Sequence, residues 1–174
     1  ERAKEYNRYY DETLAQIATR VSHVKTKPKA LYLRYTNLTL PMVSTATWVI
    51  EKAGGINVAK GVPDHARINM EQILVWNPDY LFVWNSDEVA ALYQDPRFAQ
   101  INAVKNKRVY AVPMGAHVWT HYTPEQPLAL LWAAEIFYPE RFKEYPIRKR
   151  IYDFYEHFYH YKLSEEEISQ ILHP

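Results

Sequence analysis

Cysteine is absent from the 174 residues, glycine occurs only four times, and neither sign of charge predominates, with 21 basic against 20 acidic residues. Lack of cysteine suits an extracytoplasmic protein that avoids stray thiol chemistry and suits a thiol-free cytosolic domain equally, so it sets no compartment. The near balance of charge, with no long basic stripe, removes the field that marks a nucleic-acid binder. No apolar stretch approaches membrane-spanning length, and Glu1-Arg2-Ala3-Lys4 opens a polar helix rather than a signal peptide. There is no Gly-x-Gly-x-x-Gly, Walker loop or Gly-x-Ser-x-Gly elbow, and no base and nucleophile at suggestive spacing, which argues against an enzyme.

What the chain does contain is an alternation of helical and strand patterns, clearest over residues 69–84. Asn69 is placed to cap a helix, Gln72 closes a capping box, and Met70, Ile73 and Leu74 recur at helical spacing. Pro78 forbids continuation, and Tyr80-Leu81-Phe82-Val83-Trp84 is a continuous apolar run of the kind buried on both faces of a parallel sheet. The pattern repeats on either side: Ala30 to Tyr35 reads as strand, Trp48 to Ala53 as helix stopped by Gly54-Gly55, Lys107 to Pro113 as strand, and about Leu128 to Phe137 as a long apolar helix. Ahead of these, Tyr10, Leu14, Ile17, Val21 and Val24 trace one apolar stripe along a helix from about Arg2 to Val24. Behind them, Ile147, Ile151, Phe154, Tyr155 and Phe158 repeat at three and four as a packing stripe, and Ser164 with Glu167 forms the box of a last helix. The length suffices for one core of ordinary domain size.

Four segments, residues 48–59, 68–79, 95–98 and 103–113, occur in an order and spacing that resemble the C-terminal lobe of ABC-transporter substrate-binding proteins of the iron-siderophore, haem and cobalamin class. The resemblance covers roughly residues 30 to 142. It implies an α/β fold, a three-layer Rossmann-like lobe with a mostly parallel open sheet flanked by helices and preceded by a long interlobe helix. Residues 1–26 are then the end of that helix, 27–142 the lobe and 143–174 a helical extension. Also implied are an N-terminal lobe of the same protein bearing the export signal, permease subunits of the inner membrane as partners, and a periplasmic place or that of an extracellular lipoprotein anchored to the cell membrane. Catalysis, an intrinsic cofactor and a nucleic-acid partner are not expected. The ligand expected is an iron complex, whether ferric siderophore, haem or corrinoid. A small oxyanion such as molybdate or tungstate is the alternative, and a stand-alone interaction domain a further one.

Three constellations carry the expected function. Glu71 matches the acidic first-turn residue with which this family grips permease arginines, although acidic residues favour first turns regardless of partner. The loop Met114 to Thr123 leaves a strand end, where ligands of open α/β sheets sit, and offers His117, Trp119, His121 and Tyr122. His117 or His121 could ligate a bound iron complex or simply bond within the loop; a zinc pair is disfavoured because no His-Glu-x-x-His pattern or third ligand accompanies them. Arg34 and Tyr35 after the first strand and Trp84 after the next line the same cleft, with Arg34 suited to an anion or to a surface salt bridge, and Tyr35 and Trp84 to ligand contact or core.

Overall fold

Residues 1–174 are described by a computed structural model. Its strands are β1 (Lys29–Tyr32), β2 (Ile56–Asn57), β3 (Tyr80–Val83) and β4 (Val109–Ala111). All pair in parallel, in the order β2-β1-β3-β4, giving the open sheet that the alternating pattern predicts. From β1 the chain winds outward to β2, then returns past β1 to β3 and continues the other way to β4. The reversal lies between β1 and β3, and the region beyond the carboxyl ends of these two strands, where open α/β sheets take their ligands, is the candidate crevice.

Helices cover both faces: α1 (Arg2–Val21), α2 (Val43–Lys52), α3 (Met70–Trp76), α4 (Ser86–Gln94), α5 (Asn102–Lys105), α6 (Gln126–Phe137), α7 (Pro139–Phe142), α8 (Ile147–Phe154) and α9 (Glu165–Leu172). Strand β3 is buried throughout, and its side chains alternate between two cores. Tyr80 and Phe82 enter the larger core with α6, joined by Ile17 of α1 and by Ile151, Phe154 and Ile168 of the C-terminal helices. Leu81 and Val83 enter the smaller one with Ile73, Leu92 and Phe98. Helix α6 is apolar on nearly every side because it is wrapped by the sheet, α1, α2 and α8.

Local signals hold where they rest on a cap. Asn69 and Gln72 form the reciprocal box at α3, as do Ser164 and Glu167 at α9. Gly54, at φ 93°, lies just past the end of α2, and a Cβ there would stand 2.9 Å from the Tyr138 ring. Strand ends differ from expectation: β1 stops at Tyr32, so Arg34 and Tyr35 belong to the turn that follows, and the short β2 has no clear sequence signal. Helix α1 ends at Val21, short of Val24. Helix α8 gives way to a π-helical turn, Tyr155–Tyr159, closed by His160 at φ 53°.

Candidate functional site

The crevice at the strand reversal is built first from Arg34, two residues beyond β1, and Trp84, the residue after β3. The Arg34 guanidinium carbon sits 4.3 Å from the centroid of the Trp84 ring, a cation–π contact. Beneath them is Glu88, a residue that sequence reasoning passed over. Its side chain is only 5% exposed. It accepts from the backbone N–H of Trp84 at 3.0 Å and of Tyr35 at 3.3 Å, and from the Thr36 hydroxyl at 3.2 Å. One buried carboxylate thus ties together the ends of β1 and β3, and these bonds offset the several kcal/mol that burying a charge costs, roughly speaking. Asn85 and Glu88 have the spacing of a capping box, and the Asn85 side chain does accept from the Glu88 N–H at 2.9 Å. The Glu88 carboxylate, however, turns to the strand ends.

Arg34 approaches Glu88 through Nε alone, at 3.5 Å from Oε1, and its terminal nitrogens make no hydrogen bond to the protein. With its side chain one-third exposed, Arg34 is a cation held flat against an indole with its fork free. Such a group suits a ligand with anionic oxygens.

The loop after β4 supplies the next wall. The His121 ring lies 6.3 Å from Trp84 and 5.0 Å from His117, with His121 Nδ1 3.3 Å from His117 Nε2. Desolvation, aided by His117 and His65, lowers the His121 pKa, which favours the neutral imidazole. A second buried carboxylate holds this loop: Glu125, with no exposed surface, accepts from the N–H of Ala116 at 3.2 Å and of His117 at 3.4 Å, and from the Tyr155 hydroxyl. Gly115 is required there, because a Cβ would strike both the Glu125 carboxyl and the Tyr155 hydroxyl. From α1, the Tyr6 hydroxyl donates to the Pro124 carbonyl and the Tyr10 hydroxyl to the Gln126 side chain, both at 2.9 Å.

Not every expected contact gathers here. Trp119 has no exposed surface and packs in the larger core, so its ring is closed to a ligand; the backbone turn that sets His121 outward drives the intervening indole in. Tyr35 turns away, its hydroxyl 3.1 Å from Asp95 and its ring against Phe98 in the smaller core. Arg97 beside Asp95 holds that carboxyl down at about 2, so this is an ionic knot rather than a cleft wall. Tyr122 is 75% exposed and borders a small pocket with Thr45, Trp48 and Gln126. The amides at the start of α2 are not free for an anion either, since Asp64 accepts from the Ser44 N–H at 3.0 Å. Glu71 is exposed in the first turn of α3, on a face shared with Leu74 and Val75, which is 83% exposed.

Residues 1–115 match the family described as Periplasmic binding protein. The molybdate-binding protein MolA of Haemophilus influenzae is 33% identical over 115 residues, which are 64% of this chain and 33% of that protein. Its molybdate-bound structure superposes with a TM-score of 0.80 at 26% identity over 92% of this chain and 51% of that one. A periplasmic solute binding protein of Veillonella parvula gives a TM-score of 0.86 at 33% identity, over 98% of this chain and 54% of that one. Helicobacter pylori CeuE, solved with Ni(II) bound, gives 0.76 at 29% identity, over 98% and 56%. The chain therefore spans about half the length of these solved relatives and a third of the curated one. The Haemophilus and Veillonella relatives are named as binding proteins. With the family match extending over about two thirds of the chain, including the whole sheet, α3 and the Arg34, Trp84 and Glu88 side of the site, the chain belongs to the periplasmic binding protein family.

Proposed function

We propose that this chain is the ligand-binding C-terminal lobe of an ABC-importer substrate-binding protein, and that its crevice takes a ligand whose charge lies on oxygen atoms. The observation that carries this reading is Arg34, stacked on Trp84 and backed by buried Glu88, with its guanidinium fork unused. His117 and His121 form the neighbouring wall, and His121, whose burial favours the neutral imidazole, is suited to a metal or an oxyanion edge. An iron complex with anionic chelating oxygens meets these groups, as does a small oxyanion. The molybdate named for the Haemophilus relative favours the second, and the imidazole pair the first. Trp119 being in the core leaves less flat aromatic surface for a macrocycle, so haem and corrinoid fit this wall less well.

Mechanism here is capture. The ligand is held between this crevice and the facing lobe in the periplasm, and Glu71 then docks on the membrane permease. A crevice tied by two buried carboxylates is preorganised, so little binding energy goes into ordering it. The test is a binding panel on the intact gene product, using a ferric catecholate siderophore, haem, cobalamin, molybdate and tungstate, read by absorbance and thermal shift. An anionic-oxygen ligand should raise the melting temperature of the wild type, and Arg34→Ala should abolish that shift. Equal binding by Arg34→Ala would overturn the assignment of the crevice. For docking, Glu71→Lys should lose association with the permease in nanodiscs at unchanged ligand affinity; retained association would remove Glu71 from the contact.

A further inference from the structure

Between α1 and the C-terminal helices lies a cavity of about 650 Å³ that shares no residue with the crevice. Its size falls within the range of roughly 300–1,000 Å³ usual for small-molecule sites. One wall is the face of α1 bearing Arg2, Glu5, Tyr9 and Glu12, and the other is α8 with the π-helical turn that follows it. Arg150 of α8 lines this cavity and is only 5% exposed. Its Nε donates to the Tyr145 carbonyl at 2.7 Å and its Nη1 to the Gln16 side chain at 3.1 Å, but the buried Nη2 has no partner. The guanidinium carbon stands 4.4 Å from the Tyr145 ring centroid, and the group makes no ion pair. Glu135 acts on it only through space, its carboxylate being taken by the Ile147 N–H at 2.7 Å, and Arg20 repels it. A buried cation without a counter-ion is costly, and buried charges are as a rule paired.

The acidic side chains of the lining do not fill that gap, because each is already matched. Glu12 lies 3.8 Å from Arg8, Glu5 2.9 Å from the His157 ring, Asp153 3.2 Å from Lys149 and Glu156 3.2 Å from Lys162. Arg2 donates to His160 instead of to a carboxylate. Once the local pairs are made, Arg150 and Arg2 are the cations left over. The remaining lining is aromatic: Tyr9 packs 5.7 Å from Phe154 and 5.5 Å from Phe158, centroid to centroid. We propose that this cavity is a second binding site, for a small organic acid whose carboxylate meets the unused edge of Arg150 and whose apolar body lies against Tyr9, Phe154 and Phe158. A carboxylate suits it better than a phosphate, since a multiply charged group calls for several free donors and the Arg150 fork has one nitrogen to give. The site stands independently of what the crevice holds.

The test uses the intact gene product with benzoate as the probe, benzamide as its uncharged counterpart and acetate as the charge without the ring. Benzoate should raise the melting temperature in a saturable way over a millimolar titration, and benzamide and acetate should not at equal concentration. Arg150→Met should weaken benzoate about tenfold, the loss of one charge-assisted contact, whereas Arg34→Ala should keep the wild-type response. Should Arg150→Met not fold, Phe158→Ala removes a partly buried ring of the wall and should weaken benzoate several-fold. No response of the wild type to benzoate overturns the proposal, including the case in which the rest of the protein fills the cavity. An equal response to benzamide or acetate overturns it as well, as does unchanged benzoate affinity in the variant that folds. Loss of the response in Arg34→Ala would move the benzoate to the crevice and also overturn the second site.

Discussion

Glu88 and Glu125 each lie buried beneath one wall of the crevice and gather backbone N–H groups from a strand exit, yet they are balanced differently. Glu88 faces a cation, Arg34, whose free end points to the crevice. Glu125 has no cation beside it and is met by two amides and the Tyr155 hydroxyl. The first arrangement therefore tunes charge at the mouth, while the second holds a loop in shape. Buried carboxylates of similar appearance can serve electrostatics in one place and geometry in another, and the partner decides which.

The sharpest way to break this contrast is at the core anchor of the second wall. Trp119→Ala should cost about 3–5 kcal/mol of unfolding free energy in urea, because a fully buried indole leaves a cavity, whereas Trp84→Ala should cost far less. Equal costs would mean that the two tryptophans stand in like environments. Next in size, Glu88→Ala should lose about 3 kcal/mol, since it strips Arg34 of its partner and frees several amides, and Glu125→Ala about 2 kcal/mol. A reversed order by denaturant titration would contradict the different roles assigned to them.

The smallest effect is one of pH. The folded-state pKa of His121 is lowered, so the unfolded chain binds the proton more readily, and this stability is present above the ordinary imidazole value and lost as pH falls through it. The melting temperature should decline between pH 7 and pH 5, and His121→Gln should flatten that decline. A bound anion should oppose it by favouring the imidazolium, which would distinguish a charged occupant from a neutral one.

Much of the framework was legible from local pattern. The Asn69 and Ser164 boxes, the apolar run into β3 and the stop at Gly54-Gly55 each depend on neighbours a few residues away, and each appears as read. Arg34, Trp84 and His121 meet because the carboxyl ends of parallel strands share one edge of the sheet, a consequence of topology that alternation alone implies. Glu88 was visible only as a spacing after Asn85, and that spacing points to a helix cap rather than to the bonds its side chain makes across two strands. Trp119 and Tyr35 pack in the two cores, and of the two readings open for Tyr35 the core one fits; flanking positions in an exit loop face cleft or core with no periodicity to mark which is which.

Composition and short-range order determined the class of fold, its capped helices and the doubly covered strand, because caps and apolar periods act within a turn or two of chain. Tertiary structure alone decided that a guanidinium rests on an indole with a carboxylate below, that a π-turn tyrosine reaches the loop before α6, and that one tryptophan faces the mouth while another is sealed within. Those choices arise from contacts between residues as far apart as Glu125 and Tyr155, where burial raises the worth of each hydrogen bond and no local rule applies.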